Sequence, residues 1–384
     1  MTDVVFIAGR DPFDEVSGGH SSYVRSYARA AMLAGFTPHL FCVAPTSSTR
    51  ETEIGVLHRV ASPYRPFRQM LAALHARPLR AAIARFASGR RAPLLVHSFG
   101  VWGIAAVGLE NAILVQSSYT TYRDEALSHV RGAESYSLPQ RLRFTALSWW
   151  VRAVVESWER RAYRAARVVL VNYESVARLV ERRHGVACRV MPYAAESAFF
   201  ERPPAARGDG TRIVSIARHE PRKGNDVFLR ALASLDVPFT ARLIGGGPLI
   251  EEHRALASQL GLSDRVRIEG IVPDVRPLLD EADIFVLPSR EEQSGSLAIL
   301  EALQSGLAII ASAVDGLRED LTDEDALLVP PGDAFALALA MREALQNEAL
   351  RTRLQRAARA LFERRFAAAP FAAALGSIYQ EMLG

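Results

Sequence analysis

The sequence predicts an α/β protein built from two doubly wound, Rossmann-like domains that face each other across a cleft. Its 384 residues, 49% of them hydrophobic, exceed what a single core accommodates comfortably, and this favours two domains of ordinary size. Short β-type runs alternate with amphipathic helical stretches in both halves, which is typical of parallel sheets covered by helices. A segment rich in proline, glycine and charge at residues 201–211 interrupts the alternation and is predicted to be the linker.

The first domain is predicted over residues 1–200. Its strands are predicted from short apolar runs at residues 4–8, 38–43, 93–97, 112–116, 168–171 and 189–192. Helical periodicity fills the gaps, most strongly at residues 20–34 and 141–166. Strands followed by helices are the repeating unit of a doubly wound sheet.

The second domain is predicted over residues 212–384 and repeats the alternation. Its predicted strands are residues 212–217, 240–244, 266–269, 284–287 and 307–311. Residues 334–383 are predicted to be helical almost throughout. This closing segment is expected to pack along the second domain, with its last helix able to cross back to the first.

Charge is distributed unevenly along the chain. Residues 1–204 hold 26 arginines against 16 acidic residues, a net charge of +10, whereas residues 205–384 hold 20 basic against 26 acidic residues, a net charge of −6. The first half is therefore expected to face an anionic partner. Nucleic acid is not expected, because no nucleic-acid-binding motif accompanies the charge.

The sequence predicts a cytoplasmic protein. Its two cysteines, Cys42 and Cys188, fit a reducing compartment and suggest neither a disulfide framework nor a metal site. The longest apolar stretches are too short to span a bilayer, and the N-terminus leads into a strand without a signal sequence. Peripheral association with the inner face of the membrane is compatible with the basic first half.

The only lysine of the chain, Lys223, follows the apolar run 213–216 and precedes the helical run 226–232. Arg218 lies in the same connection. A strand end that leads into a helix binds phosphate readily, because unpaired N–H groups and the positive end of the helix dipole converge there. Arg218 and Lys223 would add two positive charges, so this connection is predicted to bind a phosphate-containing ligand.

Two further segments of the second half are expected at the same edge of the sheet. Gly245-Gly246-Gly247-Pro248 follows a strand, and its missing Cβ atoms would let a ligand approach the backbone. Residues 288–301 form a strand end, a turn of small residues and a helix. Glu301 within that helix could hold vicinal hydroxyls through its two carboxylate oxygens. The acidic run 323–325 is interpreted as a solvated turn, and no metal site is predicted.

These motifs resemble glycosyltransferase family 4, a retaining family with the GT-B fold. The resemblance rests on Arg218 with Lys223-Gly224, on residues 245–248 and 264–270, on Ala282-Asp283-Ile284-Phe285-Val286-Leu287-Pro288-Ser289, and on Leu300-Glu301-Ala302. In the first half, Gly18-Gly19 before a helix, Val96-His97 and residues 163–171 also fit. Order and spacing match over nearly the whole second half.

The resemblance implies a nucleoside-diphosphate sugar held mainly by the second domain, with the acceptor on the first. Arg218 and Lys223 would neutralise the diphosphate, Glu301 would hold the ribose hydroxyls, and the backbone around Ile271 would contact the base. The remaining residues expected at the donor are Gly18, Gly19, Gly245, Gly247, Ser294, Gly295, Ser296 and Leu297. The residues assigned to catalysis are Arg218, Lys223, Gln293 and Glu301. The scheme requires no metal and no cofactor beyond the donor substrate.

Two positions depart from the family pattern. Where the family commonly has a glutamate eight residues before the second one, this chain has Gln293, with Glu292 one residue away. Either glutamine contacts the sugar, or an insertion shifts Glu292 inward. Where many members have a histidine near the reacting carbon, this chain has residues 117–121, so Ser118 and Tyr119, with His20, are assigned to the acceptor side. A serine there could contact the sugar but could not act as a comparable base.

Two basic segments of the first half bear on the acceptor. The first combines Arg65, Arg68, Arg77, Arg80 and Arg85 with Phe67, Met70, Leu71, Leu74 and Leu79, in a helix broken near Pro78. It could lie on an anionic membrane surface, with ordinary helix packing as the alternative. The second places Phe144, Trp149, Trp150 and Trp158 beside Arg141, Arg143 and Arg152, and here ordinary packing is the favoured interpretation.

The sequence thus predicts a retaining glycosyltransferase that moves a sugar from a nucleoside diphosphate to a lipid-linked or growing saccharide acceptor. Two alternatives stay open at this point. A nucleotide-sugar epimerase would consume no acceptor. A nucleotide-sugar-binding protein without catalysis, suggested by Gln293 and the absent histidine, would bind the donor and release no nucleoside diphosphate.

Overall fold

The computed structural model describes residues 2–14, 19–62, 72–131, 136–191, 193–200, 208–292 and 295–384. The chain divides into two compact units. The first unit comprises Met1–Val130, Leu138–Phe199 and Ala367–Gly384, and the second comprises Arg131–Ser137 and Phe200–Phe366. The C-terminal helix therefore belongs to the first unit. Most of the predicted linker, residues 201–207, lies outside the described residues.

The first unit begins with alternating strands and helices. Its strands are β1 (Thr2–Gly9), β2 (Phe36–Ala44), β3 (Ser48–Thr52), β4 (Gly55–Ala61), β5 (Leu94–Phe99), β6 (Ala112–Ser118), β7 (Val168–Val171) and β8 (Arg189–Val190). Its helices before residue 200 are α1 (Gly19–Leu33), α2 (Ala72–Ala87), α3 (Tyr122–Arg131), α4 (Leu138–Trp150), α5 (Glu156–Ala165) and α6 (Glu174–His184). A π-helical turn, Val151–Val155, joins α4 to α5.

These strands form one eight-stranded sheet in the order β3-β4-β2-β1-β5-β6-β7-β8. All neighbouring strands are parallel except β3, which pairs antiparallel with β4. The central strand β1 is buried from Val4 to Ala8, because helices cover both faces of a parallel sheet. A strand that is buried on both faces needs a continuous apolar sequence, and β1 has one.

In its described part, the second unit holds six strands: β9 (Arg212–Ile216), β10 (Thr240–Ile244), β11 (Val266–Glu269), β12 (Ile284–Leu287), β13 (Ala308–Ser312) and β14 (Ala326–Val329). Its helices are α7 (Asn225–Ala233), α8 (Ile250–Gln259), α9 (Arg276–Glu281), α10 (Leu297–Gln304), α11 (Leu317–Asp320), α12 (Ala334–Gln346) and α13 (Glu348–Leu361). The last helix of the chain, α14 (Ala368–Leu383), returns to the first unit.

The second sheet is parallel throughout and has the order β11-β10-β9-β12-β13-β14. This is the strand order of a Rossmann domain, in which the chain winds outward in both directions from the two central strands. The core of the unit combines residues of the strands with one face each of α7, α12 and α13.

The strands predicted in the sequence are confirmed, and the described residues contain three further strands. β3, β4 and β14 were not predicted. β3 is exposed and lacks an apolar pattern, so its pairing depends on β4 and not on burial. The predicted helix over residues 141–166 is interrupted by the π-helical turn, and the closing helical segment is three helices separated at Asn347 and at residues 362–367.

The C-terminal helix α14 is held in the first unit by a buried polar chain. The hydroxyl of Tyr379 lies 2.6 Å from Nδ1 of His97 on β5, and Nε2 of His97 lies 2.7 Å from the hydroxyl of Ser117 on β6. All three side chains are buried. Burial lowers the pKa of His97 to about 3, so the imidazole is neutral and one of its two nitrogens accepts a hydrogen bond. His97 is therefore a core residue.

The apolar side of α2 faces inward. Leu79 and Ile83 are buried in the core of the first unit, beside Val43 and Trp102. The expectation that this helix lays its apolar side on a membrane is wrong for Leu79, because that side chain already packs against the sheet. Leu74 is 44% exposed, and the predicted members Arg65, Phe67, Arg68, Met70 and Leu71 lie outside the described residues.

No helix in the described ranges is long and apolar enough to cross a bilayer.

The neutral state of His97 predicts acid sensitivity of the first unit. The folded pKa is about 3 and the unfolded value is about 6.5, so the unfolded state binds the extra proton between these limits. Stability from this group is complete above pH of about 6.5 and falls below it, by at most about 1.4 kcal/mol per pH unit. Urea unfolding followed from pH 7 to pH 5 measures this slope. His97→Gln keeps polar atoms but does not titrate there, so its slope should be shallower; an equal slope would contradict the assignment.

Candidate functional site

The second sheet has a topological switch point between β9 and β12. The chain continues from β9 toward one edge of the sheet and from β12 toward the other, so the connections that follow these strands diverge. A crevice forms at such a point outside the carboxyl ends of the strands, and ligands of open α/β sheets bind there. The connection after β9 contains Arg218 and Lys223, and the one after β12 contains Glu292.

Lys223 joins the two connections. It ends the 3₁₀ turn Pro221–Lys223 before α7, and its ammonium donates a hydrogen bond to Oε1 of Glu292. The same oxygen accepts a hydrogen bond from the hydroxyl of Ser289 at 2.8 Å. The two charged side chains are 13% and 2% exposed. Burial lowers the pKa of Lys223, while the carboxylate of Glu292 acts in the opposite direction.

A partly desolvated ammonium of this kind is favourable for binding an anion. The ion pair offsets part of the desolvation cost of Lys223, and among the described residues Glu292 is the one hydrogen-bond acceptor of an ammonium that has three N–H groups. A phosphate oxygen placed beside Lys223 would therefore gain a strong, charge-assisted hydrogen bond.

Arg218 extends into solvent beyond the end of β9. Its side chain is 65% exposed and contacts Oε1 of Glu220 at 3.0 Å through Nη2. The buried Glu220 also accepts a hydrogen bond from Nε of Arg222 at 3.0 Å. A guanidinium has five N–H donors, so this one contact leaves most of its hydrogen-bonding capacity available for a ligand.

A clamp holds the turn that carries Lys223. Arg290, just after β12, forms two hydrogen bonds to the carboxylate of Asp226 on α7, at 2.7 and 2.8 Å, and a third to the carbonyl of Pro221 at 2.9 Å. Neither Arg290 nor Asp226 was predicted in the site. Their pairing spans 64 residues of sequence, and no local pattern signals it.

The segment after Glu292 leads into α10. The amide of Gly295 donates to the carbonyl of Glu292 at 3.2 Å, and Ser296 precedes the first helical residue, Leu297. The first N–H groups of a helix have no intrahelical acceptor and carry the positive end of its dipole, so they face the switch point as anion-binding groups. Glu301 lies in the second turn of α10 and is half-buried. Gln293 and Ser294 lie outside the described residues.

The glycine loop after β10 fixes the path of Arg218. Gly245 and Gly247 have φ of +145° and +154°, conformations that L side chains rarely adopt. A Cβ atom on Gly245 would lie 2.2 Å from the carbonyl oxygen of Ala217, and one on Gly247 would lie 2.5 Å from that of His219. The amide of His219 donates to the carbonyl of Gly246 at 2.9 Å. These glycines therefore bring the two loops into backbone contact.

Ile271 lies beside this loop. Its side chain is 76% exposed, and a Cβ atom added to Gly246 would come within 2.8 Å of its Cγ1. A large exposed apolar side chain next to a glycine loop provides a flat surface that a base could cover. The base contact of the Ile271 backbone stays a prediction.

His219, the residue after Arg218, does not face a ligand-accessible surface. It is buried, and its Nδ1 lies 2.7 Å from Nδ1 of the buried His253 on α8. Burial and the neighbouring imidazole lower the pKa of His219 to about 4. The hydrogen bond between the two neutral imidazoles holds the turn that contains Arg218 against α8. Because the two histidines are 34 residues apart, no local sequence pattern indicates this contact.

In the first unit, Gly19 begins α1, and Gly18 lies outside the described residues. His20 is half-buried, its Nε2 lies 3.3 Å from the carbonyl oxygen of Ala8, and burial lowers its pKa to about 4. His20 is therefore neutral near the carboxyl end of β1.

The other two residues assigned to the acceptor side lie after β6. Ser118 is buried; its hydroxyl donates to the carbonyl of Thr120 at 3.0 Å and accepts from the hydroxyl of Tyr163 at 2.7 Å, which argues against a direct acceptor contact. The ring of Tyr119 stacks on that of Tyr23, with 3.6 Å between the ring centroids. One face of Tyr119 is thus occupied within the protein.

The described residues contain no group of three or more His, Cys, Asp or Glu side chains that could hold a metal ion. In the acidic run at residues 323–325, Asp323 and Glu324 are exposed, and Asp325 accepts a hydrogen bond from the hydroxyl of Thr322 at 2.7 Å. This run forms a capped turn.

Two family models match the chain. The model described as Glycosyltransferase Family 4 matches residues 17–193, and the model described as Glycosyl transferases group 1 matches residues 210–347. Together the two ranges cover most of the sequence.

Similar curated proteins are glycosyltransferases by name. The chain is 34% identical over 151 residues to the putative colanic acid biosynthesis glycosyltransferase WcaL of Escherichia coli (strain K12), covering 36% of this chain and 37% of WcaL. It is 35% identical over 188 residues to the GDP-mannose-dependent alpha-(1-6)-phosphatidylinositol monomannoside mannosyltransferase of Mycolicibacterium smegmatis, covering 41% of this chain and 49% of that protein. The chain thus matches less than half of the length of these relatives.

Solved structures match over the whole chain. The sucrose-phosphate synthase of Thermosynechococcus elongatus superposes with a TM-score of 0.75 at 23% identity, covering 100% of this chain and 99% of that one. WaaG, a glycosyltransferase involved in lipopolysaccharide biosynthesis, superposes with a TM-score of 0.71 at 17% identity, covering 99% and 100%. These likenesses show the GT-B fold. The resemblance seen in the sequence motifs is confirmed, and the chain belongs to glycosyltransferase family 4.

Proposed function

We propose that this protein is a retaining hexosyltransferase, which moves a sugar from a nucleoside-diphosphate sugar to a lipid-linked or growing saccharide acceptor in envelope polysaccharide or glycolipid biosynthesis. The observation that carries the proposal is the convergence of Arg218, Lys223 and the N-terminus of α10 at the switch point of the second sheet. The names of the relatives, which refer to colanic acid and to phosphatidylinositol mannoside, support the acceptor class.

The donor diphosphate would bind across the two connections. Arg218 and Lys223 would contact its oxygens from the β9 side, and the amides of Gly295, Ser296 and Leu297 from the β12 side. As the glycosidic bond lengthens, negative charge grows on the leaving phosphate, and preoriented cations and amides stabilise that charge. Glu301 would hold the ribose hydroxyls, and the backbone at Ile271 the base.

We further propose that Glu292 takes the first acidic position of the family motif. It is the carboxylate that contacts Lys223, and it lies directly after the strand end at Ser289. A carboxylate beside the diphosphate would be repelled by it, whereas a carboxylate that accepts a hydrogen bond from a sugar hydroxyl would orient the donor. If Glu292 has this role, the reaction needs no charged side chain at the position of Gln293.

The proposed reaction retains the configuration at the reacting carbon. The acceptor hydroxyl attacks on the face from which the phosphate departs, and the leaving phosphate takes the acceptor proton. No divalent metal enters this scheme. We propose that the protein acts in the cytoplasm, at the inner face of the membrane, with the basic first unit toward anionic lipid.

The donor site is tested by thermal stabilisation with UDP-, GDP-, ADP- and dTDP-sugars in the presence of EDTA. One donor should stabilise the wild type, since ligands that bind only the folded state raise its melting temperature. Lys223→Ala and Glu301→Ala should each lower the affinity for that donor by about tenfold or more, because each removes a hydrogen bond to or from a charged group.

Arg267→Ala and Glu324→Ala, which remove exposed charges of the second unit, serve as controls and should behave like the wild type. Release of nucleoside diphosphate that depends on an acceptor then separates a transferase from an epimerase or a binding protein. If the donor stabilised the wild type and the Lys223 and Glu301 variants equally, the donor-site assignment would be wrong.

The glycine loop offers a matched pair of variants. Gly247→Ala should destabilise the second unit by about 1–3 kcal/mol and weaken donor binding, because the new Cβ meets the backbone of His219 at a positive φ. Gly246→Ala meets the exposed side chain of Ile271, which can move, and should change stability by about 0.5 kcal/mol or less. Chemical denaturation and donor titration measure both effects. Similar losses of stability and of donor affinity in the two variants would show that the loop does not depend on its backbone contact with His219.

The proposed role of Glu292 has a pH signature. Glu292→Gln removes the carboxylate that raises the pKa of Lys223 most, so burial and the neighbouring Arg222 guanidinium lower that pKa further. Because the ammonium is needed to bind the diphosphate, the nucleoside-diphosphate affinity of the variant, measured from pH 7 to pH 9, should decline more with rising pH than that of the wild type. In calorimetric titrations, the affinity should change less with pH for the wild type and for the control Glu324→Gln, which removes an exposed carboxylate. The same pH profile in all three proteins would exclude this coupling.

A further inference from the structure

A buried carboxylate lies between the two cations assigned to the donor diphosphate. Glu220 follows Arg218 by two residues and precedes Lys223 by three, and its side chain is 3% exposed. A buried charge is costly unless ion pairs and hydrogen bonds replace the water that it loses. The connection after β9 therefore contains a carboxylate that needs partners, at the place where the proposed ligand brings further negative charge.

Each oxygen of this carboxylate faces a different arginine. Oε1 of Glu220 lies 3.0 Å from Nη2 of Arg218, and Oε2 accepts a hydrogen bond from Nε of Arg222 at 3.0 Å. The two arginine side chains are 65% and 26% exposed, so the carboxylate is covered while both guanidinium groups reach solvent. A ligand that approaches this turn therefore meets Arg218 and not Glu220.

The backbone of Glu220 is fixed on both sides. Its amide donates to the carbonyl of Arg218 at 2.9 Å, and its carbonyl accepts from the amide of Lys223 at 3.0 Å. The next residue, Pro221, begins the 3₁₀ turn and has a restricted φ. The carboxylate is thus a fixed point against which the longer and more flexible side chain of Arg218 is placed.

Arg218 keeps most of its donors while Glu220 holds it. Among the described residues, its guanidinium has one contact, through Nη2, and a guanidinium has five N–H donors. Arg290 differs, because its two terminal nitrogens both bind the carboxylate of Asp226 and one of them also binds a backbone carbonyl. Arg218 can therefore contact a phosphate oxygen without leaving Glu220.

We propose that Glu220 is a positioning residue for the donor diphosphate, and that it acts by holding the guanidinium of Arg218 at the switch point of the second sheet. An exposed arginine loses conformational freedom when it binds a ligand, and a fixed partner removes part of that cost before the ligand arrives. Glu220 also offsets the repulsion between Arg218 and Arg222. The inference rests on the proposed function, since it concerns the same diphosphate.

The opposite role for Glu220 is competition, in which a phosphate has to displace it from Arg218. The two roles differ in sign. Removal of a positioning carboxylate lowers the affinity for a diphosphate, whereas removal of a competing carboxylate raises it. The burial of Glu220 and the single contact that it makes with Arg218 favour positioning.

A double-mutant cycle on the full chain tests the inference. The probes are UDP, GDP, ADP and dTDP, titrated calorimetrically in the presence of EDTA. Glu220→Gln should lower the affinity for a nucleotide that binds the wild type by about three- to tenfold, because the ligand then has to order the arginine side chain itself. In the Arg218→Ala background, Glu220→Gln should change the affinity by less than about twofold, because no guanidinium is left to hold.

Asp226→Asn is the matched control. It also removes a carboxylate that pairs with an arginine beside this turn, but its partner is Arg290. Any affinity that this variant loses should be lost equally with and without Arg218. Glu220→Asp keeps the charge on a shorter side chain and should lose less affinity than Glu220→Gln, again only when Arg218 is present. Melting temperatures without nucleotide show which variants fold, and Glu220→Asp completes the cycle if Glu220→Gln does not.

Three outcomes would overturn this inference alone. Tighter nucleotide binding by Glu220→Gln would assign competition, an unchanged affinity would exclude any role at the diphosphate, and an equal loss in both backgrounds would assign a general role in stability. In each case the proposed donor site stands, provided that the wild type binds a nucleotide and Arg218→Ala weakens the binding. If the wild type binds none of the four nucleotides, or Arg218→Ala binds them equally well, the proposed donor site and the inference are both wrong.

Discussion

The ion pair between Lys223 and Glu292 depends on the strand order of the second sheet and in turn organises the candidate site. Only because β9 and β12 are neighbours do the connections after them meet, although the two residues are 69 positions apart. The pair is almost buried, so it is stabilised by its hydrogen bonds and by the clamp of Arg290 on Asp226, and it leaves the ammonium partly desolvated. A desolvated cation binds an anion more strongly than one in water.

Other contacts that hold the loops around the site carry no charge at neutral pH. His219 and His253 share one hydrogen bond in the interior, and Gly245 and Gly247 allow backbone contact between two strand ends. In the first unit, His97 holds α14 in the same manner through Tyr379. Burial keeps these imidazoles neutral, so each is a specific polar contact with an acid-labile contribution to stability.

The two long helical stretches of the first unit contrast in how they use apolar residues. Both combine arginine with leucine or aromatic residues in sequence, and composition alone suggests the same role for each. Tertiary packing separates them, because α2 covers the sheet with Leu79 and Ile83, whereas α4 has Leu142 and Trp149 in solvent. Amphipathic character therefore shows that a helix has an apolar side, and the packing of its neighbours decides what that side contacts.

The sequence by itself determined the α/β class, the strands with continuous apolar runs, and the strand-end placement of Arg218 and Lys223, because burial on both faces and helix starts leave local patterns. The family assignment followed from the order of motifs in the second half. Only the tertiary structure decided that Glu292 contacts Lys223, that His219 is buried against His253, and that β3 completes an edge. These features join residues distant in sequence, or depend on a neighbouring strand, and no local periodicity records such contacts.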